Sequence, residues 1–273
     1  MTISASIVLY KTDEEELSNV ISCLLVPQTK IKKLYLIDNS PTDYLRKYKK
    51  LDPRIEYIFN DKNIGYGAAH NIALKEAIKD TNTYHIVLNA DTYFTDEVIP
   101  TLIDFLERNK DIGQVMPKIT YPNGDLQYLC KLVPTPLDLI LRRFIPESFY
   151  LKRRKIFQLE FTGYSKIMEV PYLSGCFMLL RVESLINVGI FDERFFMYPE
   201  DIDLTRRIAE RYKTIFYPEV TVVHNHAKES FKSNKMLQIH IINMIKYFNK
   251  WGWIFDKKRR KINRETLQKL NYK

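Results

Sequence analysis

Over the first 120 residues, short β-rich runs alternate with helical patterns, and few folds accommodate that alternation. Ser6-Ile7-Val8-Leu9-Tyr10, Leu34-Tyr35-Leu36-Ile37, Ile55-Glu56-Tyr57-Ile58-Phe59 and His85-Ile86-Val87-Leu88 read as strands. Between and after them the pattern predicts helices over about 13–25, 68–79 and 96–109, with a fifth strand near Gln114-Val115-Met116. The acidic Asp13-Glu14-Glu15-Glu16 opens the first helix and Pro27 stops it. Apolar strands separated by crossover helices build a mostly parallel sheet flanked by helices, so the fold class is α/β. Ligands of such sheets collect at the carboxyl ends of the strands. Asp38 and Asp91 fall at two of those ends.

A chain of 273 residues is long enough for one large domain or two small ones. Its 45% apolar and 27% charged residues exclude a disordered or fibrous chain. No run approaches the ~20 apolar residues of a membrane span, and the N-terminus lacks a signal-peptide pattern. The three cysteines (Cys23, Cys130, Cys176) are odd in number and scattered, unlike a disulfide framework or a zinc cluster. A cytoplasmic location is therefore expected.

From Lys246 to Lys273 there are ten basic and two acidic residues, a net +8 of the chain's +9. Nucleic acid is not expected as a partner, because a nucleic-acid-binding body would not be left nearly neutral. An anionic membrane surface is. Ile239 to Trp253 offers Ile241, Ile242, Met244, Ile245, Tyr247, Phe248, Trp251 and Trp253, and Lys257-Lys258-Arg259-Arg260-Lys261 follows. Such a segment can lie on an anionic leaflet, peripheral to the inner face. The alternative is a core-packed helix ending in solvated charge. The basic run Lys152 to Lys155 would add to the same attraction. The middle, about 120–170, is irregular, with an amphipathic-looking stretch from Leu137 to Phe144. The expected organisation is a domain over 1–230, divided near 118, and a C-terminal helix with a basic tail over 231–273.

Three groups could carry chemistry. Asp91, ending Leu88-Asn89-Ala90-Asp91, could hold a hard divalent cation or merely start a turn. Glu200-Asp201-Ile202-Asp203 reads as a helix N-terminus, where acids are favoured by the dipole and often only cap. His224-Asn225-His226, after a strand-like run, is a weak metal signal.

Taken together, and in order along the chain, these groups resemble family 2 glycosyltransferases of the GT-A fold. The resemblance rests on Ile7-Val8-Leu9-Tyr10-Lys11-Thr12, Ile37-Asp38-Asn39-Ser40 and Asn63-Ile64-Gly65-Tyr66-Gly67-Ala68-Ala69-His70-Asn71. It continues through Leu88-Asn89-Ala90-Asp91, at the place of the family's Asp-x-Asp, to Gly175 and the block from Phe191 to Leu204 with its Glu200-Asp201 pair. The bacterial rhamnosyltransferase-like members, which build surface polysaccharides, look most similar.

That resemblance implies an inverting transfer from a nucleotide-diphosphate sugar, dTDP- or UDP-linked, to a saccharide acceptor, lipid-linked if the tail lies on a membrane. Asp201 would be the catalytic base, and Glu200 beside it would orient the acceptor. Tyr10, Thr12, Asp38, Asn63, Gly65, Gly67, Asn71 and Asn89 would line the donor nucleotide. Asp91, helped by His224 or His226, would hold Mg²⁺ or Mn²⁺, and Gly175 and Arg206 would face the acceptor. Asn89 replaces the first acid of the metal motif. A sugar-nucleotide pyrophosphorylase is a rival, but residues 6–16 lack the glycine-rich loop that chemistry needs. A glycoside hydrolase would need two carboxylates straddling the bond and no nucleotide pocket. A non-catalytic basic membrane- or nucleic-acid-binding protein is the remaining alternative.

Overall fold

Almost every residue of the first strand, β1 (Ile3–Leu9), is buried, because both faces of the sheet are covered. Ala5, Ile7 and Leu9 point into one cluster, with Leu17, Val20 and Leu24 of α1 (Glu14–Leu24). Ser4 and Ser6 point to the other face. There Ser6 Oγ lies 2.7 Å from His70 Nδ1 and 2.8 Å from His85 Nε2, and Ser4 Oγ lies 2.8 Å from His85 Nδ1. Burial pushes both imidazoles down, His85 to about 3, so the row is neutral.

The computed structural model describes residues 1–139, 146–225 and 234–272. After β1 and α1 come β2 (Ile31–Asp38), β3 (Ile55–Phe59), α2 (Tyr66–Lys79), β4 (Tyr84–Leu88), β5 (Thr92–Phe94), α3 (Val98–Arg108) and β6 (Ile112–Thr120). The middle holds β7 (Cys130–Lys131), α4 (Pro136–Leu139), α5 (Glu147–Phe157), β8 (Met168–Glu169) and β9 (Tyr172–Leu173). The chain continues with β10 (Phe177–Arg181), α6 (Val182–Val188), α7 (Glu200–Ala209), β11 (Lys213–His224), α8 (Asn234–Trp251) and α9 (Lys257–Lys269). Asp13 caps α1, its Oδ1 accepting from Glu15 N and Glu16 N at 2.8 and 3.1 Å.

The main sheet has the order β3-β2-β1-β4-β10-β6-β11-β5, with β8 added against β11. β3, β2, β1 and β4 are parallel; β10 is antiparallel to both β4 and β6. β6 and β11 are parallel to each other and so run with β4, and β5 reverses at the edge. The mostly parallel α/β reading holds, with Ile7 opposite Leu36 on one side and Leu88 on the other. α1 and α3 cover one face, while α2, α6 and α7 cover the other.

The C-terminal segment is ordered beyond α8 rather than ending in loose charge. It folds back as α9, burying Arg259 and Thr266 against the domain. The Asn263 amide exchanges hydrogen bonds of 2.8 Å with both backbone groups of Val133. The apolar residues before it divide: Met244, Tyr247 and Phe248 pack with Leu139, Tyr172, Phe195 and Ile202, whereas Ile242, Ile245 and Trp253 are exposed. The run Lys152 to Lys155 lies on α5, and Arg153 is already paired with Asp138 at 2.8 Å. Of the stretch from Leu137 to Phe144, residues 137–139 belong to α4 and the rest lies outside the described residues. No helix among the described residues is long and apolar enough to cross a membrane.

Candidate active site

Strand direction gathers the candidate residues. Because β10 is antiparallel to β4, it starts where β4 ends, and β11, running with β4, ends at the same edge. Asn89 and Asp91 after β4, Gly175 and Cys176 before β10, and His224 at the end of β11 therefore share one edge of the sheet. The Asn89 amide donates to Cys176 O at 3.0 Å across it.

On one side of this edge Asp91 Oδ1 lies 3.3 Å from His224 Nε2. The Asn89 side-chain nitrogen is 3.3 Å from the same ring nitrogen. His224 Nδ1 donates to Gln127 Oε1 at 3.0 Å, and Gln127 Nε2 donates to His224 O at 2.8 Å, so the ring cannot turn freely. Burial pulls the His224 pKa down, but Cys176 and Asp91 beside it outweigh this and lift it to about 10. A carboxylate oxygen and an imidazole nitrogen fit one small dication, Mn²⁺ better than Mg²⁺ because of the nitrogen. No cluster of three or more metal-ligating side chains occurs among the described residues. His226 lies outside the described residues.

Across from this pair α7 begins at Glu200-Asp201. Asp201 Oδ2 accepts from Gly175 N at 3.1 Å and from the Tyr172 hydroxyl at 3.3 Å, and Oδ1 accepts from Ile202 N at 2.8 Å. A Cβ on Gly175 would lie 3.2 Å from Asp201 Cβ, so a side chain there would press the carboxylate aside. Burial raises the Asp201 pKa while these N–H groups oppose it. For Glu200, burial and then the Asp201 charge push the pKa up to about 8, and its Oε2 has no hydrogen-bond partner among the described residues.

Tyr66, which motif reading passed over, joins the two sides. Its hydroxyl donates to Gly175 O at 2.8 Å and lies 3.2 Å from Asn89 Oδ1. Burial and the neighbouring Glu200 raise its pKa, so it stays a phenol. The contacts run unbroken from Asp201 through Gly175, Tyr66, Asn89 and His224 to Asp91. Tyr66 was legible in principle, as an aromatic held between two glycines. Gln127 and Tyr172 carried no local signal.

The expected donor-side residues fall into two sets. Tyr10 is exposed and Thr12 half-buried at the rim beyond β1. Asn63 Oδ1 accepts from Gly65 N at 3.0 Å and shapes the loop entering α2. Gly65 has φ +92°, and a Cβ there would sit 2.3 Å from Phe196 O. A Cβ on Gly67 would lie 3.0 Å from Phe191 Cβ and 3.3 Å from Glu200 Cγ, a tight but lesser approach. Two expectations change. Asp38 is 0% exposed, with Oδ1 taken by Ser40 N and Oδ2 by the Tyr57 hydroxyl, so it holds a turn and is not open to a base. Asn71 is also enclosed and uses both ends of its amide on the backbone of Phe191. On the acceptor side Arg206 is a correction too. It is 1% exposed, ion-paired with Asp256 at 2.8 Å, and stacked 3.9 Å above the Trp251 ring.

The profile of glycosyl transferase family 2 matches residues 4–189. The chain is similar to N-acetylglucosaminyl-diphospho-decaprenol L-rhamnosyltransferase of Mycobacterium tuberculosis, 28% identical over 203 residues, covering 70% of this chain and 64% of that one. It therefore spans less than two thirds of that relative. Rhamnosyltransferase WbbL of Escherichia coli is 26% identical over 223 residues, covering 79% of this chain and 81% of that one. Among solved structures, GalNAc-T7 with UDP, GalNAc and Mn²⁺ has a TM-score of 0.63 at 18% identity, covering 82% of this chain and 43% of the other. The fold is GT-A.

Proposed function

The chain belongs to glycosyl transferase family 2, and from that premise we propose that it transfers a sugar from a nucleotide diphosphate to a saccharide acceptor with inversion. Family membership sets aside the pyrophosphorylase and non-catalytic readings. The observation that carries the mechanism is the unbroken path of contacts from Asp201 to Asp91 along one edge of the sheet.

In this reading Asp201 takes the proton of the acceptor hydroxyl as its oxygen attacks the anomeric carbon. Its raised pKa makes it a stronger base than an exposed aspartate, and the Gly175 and Ile202 N–H groups fix its orientation. Burial and the neighbouring Asp201 charge favour the protonated form of Glu200, which reduces the repulsion within the pair. Asp91 and His224 would hold Mg²⁺ or Mn²⁺, which when bound offsets charge on the departing diphosphate. Tyr66 bridges the two sides through Gly175 O and Asn89 Oδ1. Tyr10, Thr12 and the Asn63–Gly67 loop border the donor. By similarity to the two relatives, we read the sugar as dTDP- or UDP-linked, with rhamnose favoured, and the acceptor as a lipid-linked saccharide in surface polysaccharide assembly. Such an acceptor would bring the chain to the inner face of an anionic membrane.

Asp201→Asn tests the assignment. Turnover with a matched donor should fall by about 10²–10⁴. Nucleotide affinity with Mn²⁺, read by calorimetry, should persist. Retained turnover would remove Asp201 as the base.

A further inference from the structure

The basic tail is not a loose strap, and the surface it presents is more specific than its net charge. Between α8 and α9 the chain turns through Gly252, at φ +100°, and pushes Trp253, Ile254 and Phe255 outward. Ile254 is 65% exposed and Phe255 86%, so two large apolar side chains stand adjacent in water. The turn that carries them is held from beneath. Arg259, buried, donates to Trp253 O at 3.0 Å, and Asp256 Oδ1 accepts from Arg259 N at 2.8 Å.

The helix that follows is two-faced. Arg259 and Thr266 are buried, and Ile262 and Asn263 half-buried, on the face against the domain. Lys257, Arg260, Lys261 and Arg264 are exposed and fall at helical spacing i, i+3, i+4 and i+7, which forms one stripe. An apolar tip continuous with a row of cations matches an anionic bilayer, with the tip at acyl depth and the cations among the headgroups. Within the stripe Lys261 also lies 3.9 Å from the exposed Glu265, and neighbouring basic residues outside it are paired on the body of the protein. Lys250 is on Asp203, Lys258 on Glu210 and Lys269 on Glu169, at 2.6–2.9 Å. Exposed Phe149 on α5 gives a second apolar point. Its helix is tied by Arg153 to Asp138, while Arg259 reaches Pro134 O on the same segment.

We propose that the turn Trp253-Ile254-Phe255 and the stripe Lys257, Arg260, Lys261 and Arg264 form a docking surface for an anionic lipid bilayer. For its purpose, delivery of a lipid-linked acceptor, the proposal rests on the functional reading above; for binding itself it does not. The surface is joined to the helix that carries the carboxylate pair: Asp256, the neighbour of Phe255, is the ion-pair partner of Arg206 on the helix that opens with Glu200-Asp201.

The test is co-sedimentation of the full chain with vesicles of phosphatidylcholine, with and without phosphatidylglycerol. The wild type should pellet with the anionic vesicles and stay in solution with phosphatidylcholine alone. Ile254→Ser with Phe255→Ser should weaken partitioning about tenfold or more, and Lys257→Glu with Lys261→Glu should do the same. Circular dichroism and melting of both double variants should match the wild type, since all four side chains are exposed. Transfer to a water-soluble acceptor should also be unchanged, which separates failure of membrane docking from failure of the functional reading. Wild-type partitioning by either double variant, or equal binding to both vesicle types, would overturn the proposal. So would a dimer in sedimentation velocity that is lost in Ile254→Ser with Phe255→Ser, because the apolar tip would then be covered by a second copy.

Discussion

Asp256→Ala should be among the most destabilising single substitutions in the chain. The side chains of Arg206 and Asp256 are 1% and 4% exposed, and one guanidinium nitrogen, Nη2, reaches both carboxylate oxygens, at 3.0 and 2.8 Å. Nε and Nη1 have no acceptor in hydrogen-bond geometry among the described residues, and the guanidinium lies against Trp251. A pair desolvated this completely contributes little compared with an apolar replacement of both partners. Removing one partner is different, because Arg206 would remain buried and charged with nothing opposite, at a cost of about 3–5 kcal/mol. Asp256 also caps α9 through Arg259 N, worth about 1 kcal/mol more. The expected loss is therefore about 4–6 kcal/mol, against a total stability of roughly 5–15 kcal/mol for a protein domain. Arg206→Met with Asp256→Ala should recover about 2–3 kcal/mol relative to the sum of the single changes. Urea unfolding followed by tryptophan fluorescence reads this directly, since Trp251, one of the two tryptophans, stacks on Arg206. A loss below about 1 kcal/mol for Asp256→Ala, or strict additivity in the double variant, would refute the reasoning.

Glu200 predicts how stability depends on pH. Its folded pKa of about 8 lies above the ordinary 4.5, so its protonated form stabilises the fold fully below about 4.5, and that contribution is lost as pH rises through about 8. Asp201, also raised, acts in the same direction. Melting temperature should fall between about pH 5 and about pH 9 and fall less in Glu200→Gln; equal slopes would place the titration elsewhere. At the other side of the edge, Asp91→Ala should abolish the Mn²⁺ dependence of UDP or dTDP binding, measured by calorimetry. Gln127→Leu, which frees the His224 ring, should weaken Mn²⁺-dependent binding by about 10–100-fold, and an unchanged affinity would mean that Gln127 does not orient a ligand.

Asp91, Gly175, Asp201 and His224 could be found in the sequence because each sits beside an element end, and strand ends of an α/β sheet are where ligands gather. What escaped was the partner of each polar side chain. Asn71 and Arg206 stand in the right segments, but their hydrogen-bonding groups are committed to Phe191 and to Asp256. Nothing local announces a partner 50 or 120 residues away. Tyr66 was hidden for the opposite reason: a loop quoted for its glycines drew attention away from the one aromatic between them.

The same blindness to distant pairing applies to the C-terminal helices. α7 carries Asp203, Arg206 and Arg207 beyond the carboxylates that open it, and its buried charges are met largely from residues after 249. Asp203 receives Lys250 at 2.6 Å and the Trp251 indole N–H at 2.8 Å, and Arg206 receives Asp256. A chain ending near residue 230 would leave Asp203 with Arg207 alone and Arg206 with no counter-charge, on the helix that positions Asp201. The same truncation would strip the apolar cover from this face, since Trp251 stacks on Arg206 and Met244, Tyr247 and Phe248 pack with Ile202, so the helix would lose its counter-charges and its packing together. The segment set against the membrane in our proposal is therefore also packed and ion-paired onto the helix that opens with Glu200-Asp201.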